Sequence, residues 1–245
     1  MIPQAAPGNA LGRVGVIIPA LNEAANLCEL LPRLAALGVG QTIVADNGST
    51  DATRDVAEAI GATWVFEPRR GYGAACFAGL RQLADHVQIV AFLDADLSDD
   101  PALLPALVQP ISAGTHDLVI GSRAKGGREP GAMSAPQRFA NWLFPLLIRI
   151  GWGYRFTDLG PFRAVRRSSL DAMRMEDRAF GWTIEMQIRA VELKLRIAEW
   201  PVPYRRRLHG ASKVSGSLRG VLLAAYWITR TCVGLWLTKR SRIHR

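Results

Sequence analysis

Short apolar runs alternate along the chain with longer segments in which apolar residues recur every three or four positions. The short runs predict strands at Val14–Ala20, 41–45, 62–66, 87–93, 117–120, 162–165 and 197–202. The longer segments predict helices at 22–38, 50–60, 73–86 and 183–193. This alternation indicates βαβ units, and therefore an α/β fold with a mostly parallel, Rossmann-like sheet and helices on both faces.

Polar residues cluster where the predicted strands end. The clusters are Asn22-Glu23, Asp46-Asn47, Arg69-Arg70 and Asp94-Ala95-Asp96. In open parallel sheets, ligands bind beyond the carboxyl ends of the strands, so these clusters are expected to share one site.

The division of the chain follows the same pattern. Residues 1–13 lack an apolar core, which predicts a flexible arm. Residues 14–215 are expected to form a single domain. Residues 216–245 are expected to form an amphipathic or apolar helix with a basic tail. Arg219 and Arg230 interrupt the apolar stretch 218–238, which favours a helix in the membrane interface, or one packed on the domain or a second subunit, over a true transmembrane span. The aromatic segment 139–151 is either a second lipid-facing surface or core.

Charge narrows the set of partners. The 245-residue chain has a net charge of +9, and no Asp or Glu follows Tyr204. This balance favours an anionic membrane surface or a phosphorylated substrate, while no recognised nucleic-acid motif is present. Cys28, Cys76 and Cys232 are too few and too far apart for a disulfide framework or a zinc site, which indicates a reducing cytosol.

Asp94 and Asp96 carry the most specific chemistry. The single residue between them, Ala95, keeps both carboxylates on the same side of an extended chain. Two hard oxygen ligands at the mouth of an apolar strand suit Mg²⁺ or Mn²⁺, which would in turn hold a diphosphate. The alternative is a strand-end turn with solvated acids.

Several motifs occur in a fixed order around this pair. They are IIPALNE (17–23), DNGSTDAT (46–53), RGYGAA (70–75), FLDADLSDDP (92–101) and GSR (121–123). Together they resemble the family 2 glycosyltransferases with the GT-A fold. The later motifs DLGPFRAVRR (158–167), GWTIEMQ (181–187) and YRRRLHGASK (204–213) resemble the polyprenyl-phosphate, dolichol-phosphate mannose synthase-like branch.

The resemblance implies a role for each matching residue. The donor nucleotide would be approached by Pro19, Leu21, Glu23, Asp46, Asn47, Gly71, Asp94, Ala95 and Asp96. Asp46 matches the acid that helps to hold base or ribose, whereas Asn47 departs from the usual second Asp. Asp94 and Asp96 match the metal motif. Ser98 stands where the branch often has Gln as a third metal contact, and Asp99 is the alternative oxygen donor.

Cations complete the expected site. By resemblance, Arg123, Arg207 and Lys213 would bind phosphates, with Arg138 and Arg128 as further candidates at the acceptor. A phosphate acceptor is already ionised at neutral pH and needs no general base, whereas a hydroxyl acceptor would need one, for which Glu185 is the candidate. Asp96, Arg123 and Glu185 are thus the expected catalytic residues.

The resemblance implies a metal-dependent, inverting transfer of a hexose from a GDP-mannose or UDP-glucose type donor to a dolichyl or undecaprenyl phosphate. The enzyme would be cytoplasmic and bound peripherally at the inner face of the membrane. A homodimer is a further expectation. Two alternatives stay open. One is a transferase with a soluble hydroxyl acceptor, and the other is an inactive scaffold subunit that binds nucleotide-sugar.

Overall fold

A computed structural model describes residues 11–210 and 218–243, and seven strands in this part form one sheet. The strands are β1 (Val14–Ala20), β2 (Gln41–Asp46), β3 (Thr63–Phe66), β4 (Ile89–Phe92), β5 (Leu118–Ser122), β6 (Arg163–Arg166) and β7 (Ile197–Pro201). Their order is β3-β2-β1-β4-β6-β5-β7. All neighbours are parallel except β6, which runs antiparallel to β4 and β5. The prediction of a mostly parallel α/β sheet is confirmed.

Helices connect the strands. They are α1 (Ala24–Ala36), α2 (Thr53–Ala59), α3 (Tyr72–Leu80), α4 (Leu104–Ser112), α5 (Arg123–Gly126), α6 (Ala135–Trp152), α7 (Arg167–Met173), α8 (Trp182–Glu192) and α9 (Leu218–Ile243). A short 3₁₀ turn, Pro101–Leu103, precedes α4. The four helices predicted from periodicity correspond to α1, α2, α3 and α8, with ends that differ by one to six residues.

The sheet separates two apolar cores, as the alternation of side chains along β1 requires. Val14, Val16 and Ile18 pack with α1 and α4 on one face. Ile17 points to the other face, where α6, α8 and α9 supply the apolar partners. Helices therefore cover both faces of the sheet, as predicted.

Residues 11–13, which the sequence assigned to a flexible arm, belong to the folded domain. Leu11 is only 5% exposed and belongs to the first core. Its carbonyl oxygen accepts hydrogen bonds from the main-chain N–H groups of Val14 and Gly40. The segment from residue 11 is thus part of the domain, because apolar burial and two backbone bonds hold it there. Residues 1–10 lie outside the described range.

The C-terminal segment forms α9, whose inner face packs on the domain through Cys232 and Leu235. The ammonium group of Lys239 donates a 2.8 Å hydrogen bond to the carbonyl of Gly151 at the end of α6. Within the ranges that the structure covers, no helix combines the length and the apolar content needed to cross a membrane.

Candidate active site

A cleft of about 870 Å³ opens beyond the carboxyl ends of the parallel strands β1, β2 and β4. The sequence-predicted residues that line it are Pro19, Leu21, Glu23, Asn47, Gly71, Asp94, Ala95, Asp96, Arg123 and Arg207. Six other predicted residues do not line it, namely Asp46, Ser98, Asp99, Arg128, Arg138 and Glu185. Lys213 lies outside the described residues. The polar clusters at the strand ends therefore do converge, as the topology predicts.

Asp94 and Asp96 follow β4 and form the acidic floor of the cleft. The next residue, Leu97, has a left-handed backbone (φ 59°), which turns the chain so that Ser98 folds back onto Asp96. The main-chain N–H of Ser98 donates a 3.0 Å bond to Oδ1 of Asp96, and its hydroxyl donates to the same oxygen. Ser98 therefore orients the Asp96 carboxylate from behind. Its predicted role as a metal ligand is not supported, because its hydroxyl faces Asp96.

The electrostatics of the floor suit a divalent cation. Burial, followed by the charge of Asp96, raises the pKa of Asp94 to about 7. A cation bound to both carboxylates would relieve that repulsion, and carboxylate oxygens are the ligands that Mg²⁺ and Mn²⁺ prefer. The described residues contain no cluster of three acidic, His or Cys side chains able to hold a metal. Further ligands would thus come from water or from a bound diphosphate.

Metal binding is expected to depend on pH because of Asp94. Below pH 7 a cation must displace a proton from this carboxyl group, so we expect the affinity for Mn²⁺ to fall about tenfold for each pH unit below 7 and to level off above about pH 8. Calorimetry in two buffers of different ionisation enthalpy at pH 6 will show release of about one proton. An affinity that is constant from pH 5.5 to 8 would contradict the expectation.

Asp46, predicted to hold the nucleoside, is not among the residues that line the cleft, and its carboxylate is bonded locally. Its Oδ1 accepts bonds from the main-chain N–H groups of Gly48 (3.0 Å) and Ser49 (2.7 Å), and its Oδ2 accepts one from the indole of Trp64 (3.2 Å). Asp46 is 3% exposed, and its carboxylate caps the turn after β2. Among the described residues, the N–H groups of Gly48 and Ser49 have no main-chain acceptor, and they therefore donate to the Asp46 side chain.

Asn47 joins the turn after β2 to the loop after β3. Its amide nitrogen donates to the carbonyls of Glu67 (3.0 Å) and Arg69 (2.7 Å), and its oxygen accepts from the N–H of Gly71 (2.8 Å). An aspartate has no N–H donor and would face two carbonyl oxygens here. The departure from the expected Asp is thus explained by the local hydrogen bonds.

Gly71 permits the closest backbone contact at the cleft wall. Its φ of 147° lies in a region that favours glycine, and an added Cβ would lie 2.1 Å from the carbonyl oxygen of Arg178. The adjacent N–H of Gly73 donates a 2.8 Å bond to the carbonyl of Ala179. The glycine therefore lets the 70–73 and 177–179 segments meet where they enclose the cleft.

Arg207 bridges two acids across the cleft. It donates a 2.8 Å bond to Oε1 of Glu23, and its other terminal nitrogen lies 2.9 Å from Oδ2 of Asp96. The C-terminal strap, residues 204–209, holds Arg207 there by main-chain pairing, in which Leu208 N–H donates to the carbonyl of Asp96. Burial alone would lower the pKa of Arg207, but Asp96 and Glu23 raise it, so the side chain stays charged.

Arg123, just after β5, is held in the cleft wall by Asp158. Asp158 accepts from the Nε–H (2.8 Å), one terminal nitrogen (2.6 Å) and the main-chain N–H (2.7 Å) of Arg123. The guanidinium carbon also lies 5.0 Å from the ring centroid of Tyr204. Burial opposes the charge of Arg123, but the carboxylate of Asp158 offsets this and raises its pKa.

Glu185 is not positioned as a general base. It is 2% exposed, and its carboxylate accepts main-chain N–H bonds from Glu176 (3.1 Å) and Asp177 (2.7 Å). An ion pair of 3.7 Å to Arg189 one turn later adds to this. The geometry does not support the predicted catalytic role, because the carboxylate accepts bonds from the 176–177 main chain and Glu185 is not among the residues that line the cleft.

The Glu185→Gln substitution is expected to lower stability and spare activity. One buried N–H would face the new amide group, so we expect the free energy of unfolding to fall by about 1–3 kcal/mol. The transfer rate at 20 °C is expected to stay within about twofold, since no cleft contact changes. Urea unfolding and steady-state kinetics on the same preparation test this. A large loss of rate at unchanged stability would return Glu185 to the active site.

Arg138 is exposed and contributes nothing to the cleft, although its neighbour Gln137 does. Arg128, the other candidate, contacts the sulfur of Met133 through one terminal nitrogen and is likewise outside the lining. Asp99, the alternative metal ligand, is 2% exposed and sits below the floor. Its burial raises its pKa to about 8, and it is not among the residues that line the cleft.

Arg70, which the sequence placed in a strand-end cluster, also lines the cleft, whereas sequence reasoning missed other lining residues, namely Tyr72, Gln137, Phe180, Tyr204 and Arg206. Tyr72, Tyr204 and Arg206 lie inside the quoted motifs, so proximity to the matched residues was an available signal. Gln137 and Phe180 carry no such signal, because helix α6 and the loop before α8 bring them in from distant parts of the chain. With Arg123 and Arg207, the cleft holds four arginines opposite Glu23, Asp94 and Asp96.

Comparison with known proteins agrees with this arrangement. Residues 15–174 match the profile of the family described as glycosyl transferase family 2. An uncharacterized glycosyltransferase of Mycobacterium tuberculosis is 39% identical over 223 residues, which are 86% of this chain and 94% of that protein. Undecaprenyl-phosphate mannosyltransferase of Micrococcus luteus is 33% identical over 85% of this chain and 90% of its own length.

Solved structures share the fold. Glucosyl-3-phosphoglycerate synthase from Mycobacterium tuberculosis, in complex with Mn²⁺, UDP-glucose and phosphoglyceric acid, superimposes with a TM-score of 0.71. The two proteins are 26% identical over 91% of this chain and 81% of the synthase. This chain is therefore similar to a GT-A fold enzyme solved with a divalent metal and a nucleotide-sugar.

Proposed function

The chain belongs to glycosyltransferase family 2, and we propose that it transfers a hexose from a nucleotide-diphosphate sugar to a polyprenyl phosphate with the help of Mg²⁺ or Mn²⁺. One observation carries this proposal. A pair of carboxylates, Asp94 and Asp96, shares a cleft with four arginines, which is the arrangement expected where a metal-bound diphosphate meets a second phosphate.

On the donor side, Asp94 and Asp96 would hold the metal, and Pro19, Leu21 and Asn47 line the part of the cleft left for the nucleoside. The metal supplies charge neutralisation for the departing diphosphate. Arg207 and Arg123 stay charged beside the same floor and provide hydrogen bonds to phosphate oxygens. These residues thus stabilise the negative charge that builds up on the diphosphate as its bond to the sugar breaks.

On the acceptor side, the nucleophile would be a phosphate oxygen. It forms the new bond to the anomeric carbon while the bond from that carbon to the donor phosphate breaks and its electron pair leaves with the diphosphate. Attack from the opposite side inverts the anomeric centre. No base is needed for an ionised phosphate. The carboxylates that line the described cleft already have other roles, as a mechanism without a base requires. Glu23 and Asp96 pair with Arg207, and Asp94 adjoins the metal position.

The lipid nature of the acceptor has separate support. The Micrococcus luteus relative is named as an undecaprenyl-phosphate mannosyltransferase, and it aligns with 85% of this chain. A soluble phosphorylated acceptor is the second candidate, because the Mycobacterium tuberculosis synthase was solved with phosphoglyceric acid. Both acceptors would present an anion to the same arginines, and only the lipid acceptor has a prenyl tail.

A surface beside the cleft fits a prenyl tail and a bilayer. Helices α6 and α9 contact each other and expose apolar side chains, namely Phe139, Trp142, Ile150, Leu222, Tyr226, Val233 and Leu237. Neither helix contains Asp or Glu, and Arg138, Arg149 and Arg230 are exposed on them. An apolar face rimmed by cations suits peripheral binding to the anionic cytoplasmic leaflet.

Transfer into lipid tests the proposal. Purified protein is given radiolabelled UDP-glucose or GDP-mannose, Mn²⁺ or Mg²⁺, and either undecaprenyl phosphate or 3-phosphoglycerate, with EDTA as a control. We expect metal-dependent label in the organic extract. Label only in a soluble product would keep the transferase and replace the acceptor. Tight nucleotide binding without turnover for any donor would indicate the inactive scaffold.

Vesicle flotation tests the membrane surface. The double substitution Tyr226→Asp and Val233→Asp is expected to reduce binding to phosphatidylglycerol-containing vesicles by about tenfold or more. Leu193→Asp, an exposed apolar residue elsewhere, serves as the matched control and is expected to bind as the unaltered protein does. If the protein does not float and light scattering finds a dimer that the double substitution dissociates, the face belongs to a second copy.

A further inference from the structure

The wall of the cleft contains a buried ion pair, and the sequence motifs assigned a role to its cation, Arg123, but none to its acid, Asp158. Asp158 is 0% exposed, and the side chain of its partner Arg123 is 11% exposed. Asp158 occupies the Nε edge of the guanidinium, and Tyr204 covers one of its faces. Within the described residues, no acceptor bonds to the remaining terminal nitrogen, Nη1. One edge of Arg123 is therefore left for a ligand of the cleft.

Asp158 is itself held from three directions. Its carbonyl oxygen accepts a 2.8 Å bond from the amide of Gln187 on α8, and its N–H donates to Glu199 on β7 at 3.3 Å. Arg163, fully buried on β6, donates to the carbonyls of Leu159 (3.2 Å) and Gly160 (3.0 Å) in the same loop. The main chain that carries Asp158 is thus fixed to the sheet and to α8, independently of any ligand.

The close pairing limits what Arg123 can do. A guanidinium and a carboxylate 2.6 Å apart are nearly neutral as a unit, so Arg123 adds little net attraction for an anion. Arg207 is likewise paired with Glu23 and Asp96, whereas within the described residues no ion pair joins Arg70 or Arg206 to an acidic side chain. What the pair does provide is a donor whose direction is set before the ligand arrives, and such preorganisation lowers the barrier more than it strengthens ground-state binding.

We propose that Asp158 is a positioning residue, which holds Arg123 so that its free edge donates to a phosphoryl oxygen in the transition state of transfer. This inference rests on the proposed function, because it takes the cleft ligands to be phosphates. Without the charge of Asp158, the charge of Arg123 becomes available for anion binding, but its guanidinium is no longer held in one orientation. We therefore expect nucleotide affinity and kcat to change in different ways.

The test compares Asp158→Asn with Asp117→Asn. Asp117 precedes the same strand, β5, at the opposite end, and it pairs with Arg196 (2.7 Å) and Arg166 (3.4 Å) away from the cleft. For Asp158→Asn we expect kcat to fall about 100-fold. The dissociation constant of UDP with Mn²⁺ is expected to stay within about threefold or to tighten. Asp117→Asn is expected to lose thermal stability and keep both kcat and UDP affinity.

A double-mutant cycle shows whether Asp158 acts through Arg123. Once Arg123→Gln is present, adding Asp158→Asn is expected to reduce kcat by less than about twofold further, because its target is gone. Asp158→Glu serves if Asp158→Asn fails to fold. It keeps the charge but shifts the carboxylate, and it is expected to lower kcat with UDP affinity retained. Additive losses of kcat, or a loss of UDP affinity equal to the loss of kcat, would overturn the proposal.

The outcome is separable from the proposed function. Turnover is measured both as transfer and as metal-dependent hydrolysis of the nucleotide-sugar, and UDP binding is measured without an acceptor. If lipid transfer fails but hydrolysis and UDP binding persist, the acceptor is wrong and the positioning role is still tested by the split between kcat and affinity. If neither turnover is seen, an Asp158→Asn protein that binds UDP several-fold more weakly overturns the role.

Discussion

Replacing Asp96 by asparagine is expected to abolish sugar transfer while the protein stays folded. The substitution removes one of two carboxylates on the cleft floor and places an amide against Arg207, which pairs with Asp96 at 2.9 Å. We expect the transfer rate to fall by at least about 1,000-fold, or ~4 kcal/mol in the barrier, because both the metal site and the arrangement of cations depend on this charge.

Asp100→Asn is the matched control for Asp96→Asn. Asp100 belongs to the same motif, but it caps the 3₁₀ turn through the N–H of Ala102 and pairs with Arg205 at 3.3 Å outside the cleft lining. Steady-state transfer, Mn²⁺ binding by electron paramagnetic resonance and thermal unfolding are measured on both. Wild-type rates in Asp96→Asn would show that the acidic pair is only a strand-end turn.

Replacing Arg207 by glutamine is expected to change metal binding and transfer in opposite directions. Without nucleotide, Arg207 is the cation that pairs with Asp96 and Glu23, so it opposes entry of Mn²⁺. We expect its removal to strengthen binding of Mn²⁺ alone about fivefold, the ~1 kcal/mol of a partly exposed ion pair. With donor present, the loss of a phosphate-binding guanidinium is expected to slow transfer about 100-fold.

Arg205→Gln is the control for Arg207. It removes a neighbouring positive charge from the same strap, but one that is half-exposed and pairs with Asp100. Its transfer rate and its Mn²⁺ affinity are expected to match those of the unaltered protein. If Arg207→Gln binds Mn²⁺ no better than Arg205→Gln does, Arg207 does not compete with the metal, and its contact with Asp96 has only a structural role.

Much of the fold was predictable from local pattern. The apolar runs and helical periods predicted every strand of the sheet to within a few residues, because burial on one or both faces imposes a period that is visible in the sequence. The antiparallel direction of β6 was not predictable. It depends on the long connection through α6, which returns the chain to the edge where β5 ends, so that β6 enters between β4 and β5 in the opposite direction.

The sequence predicted where the site lies, but it predicted the roles of only some of the site residues. Asp94, Asp96 and Arg123 converge because strand ends of a parallel sheet meet at one edge, and main-chain pairing of residues 204–209 brings Arg207 to them. Asp46 and Glu185 were equally plausible from residue type, yet both carboxylates accept main-chain N–H groups that would otherwise be unpaired. Sequence position alone does not show which donors compete for a side chain.

By itself, then, the sequence determined the α/β class, the edge at which the chemistry lies and the acidic pair with its arginines, since each depends on local period or on contiguous motifs. Only the tertiary structure decided the partners of the charged groups. Arg123 and Asp158 are 35 residues apart, and Arg207 and Glu23 are 184 apart. Buried charges need partners of the opposite sign, and the packing of distant elements decides which partner is within reach.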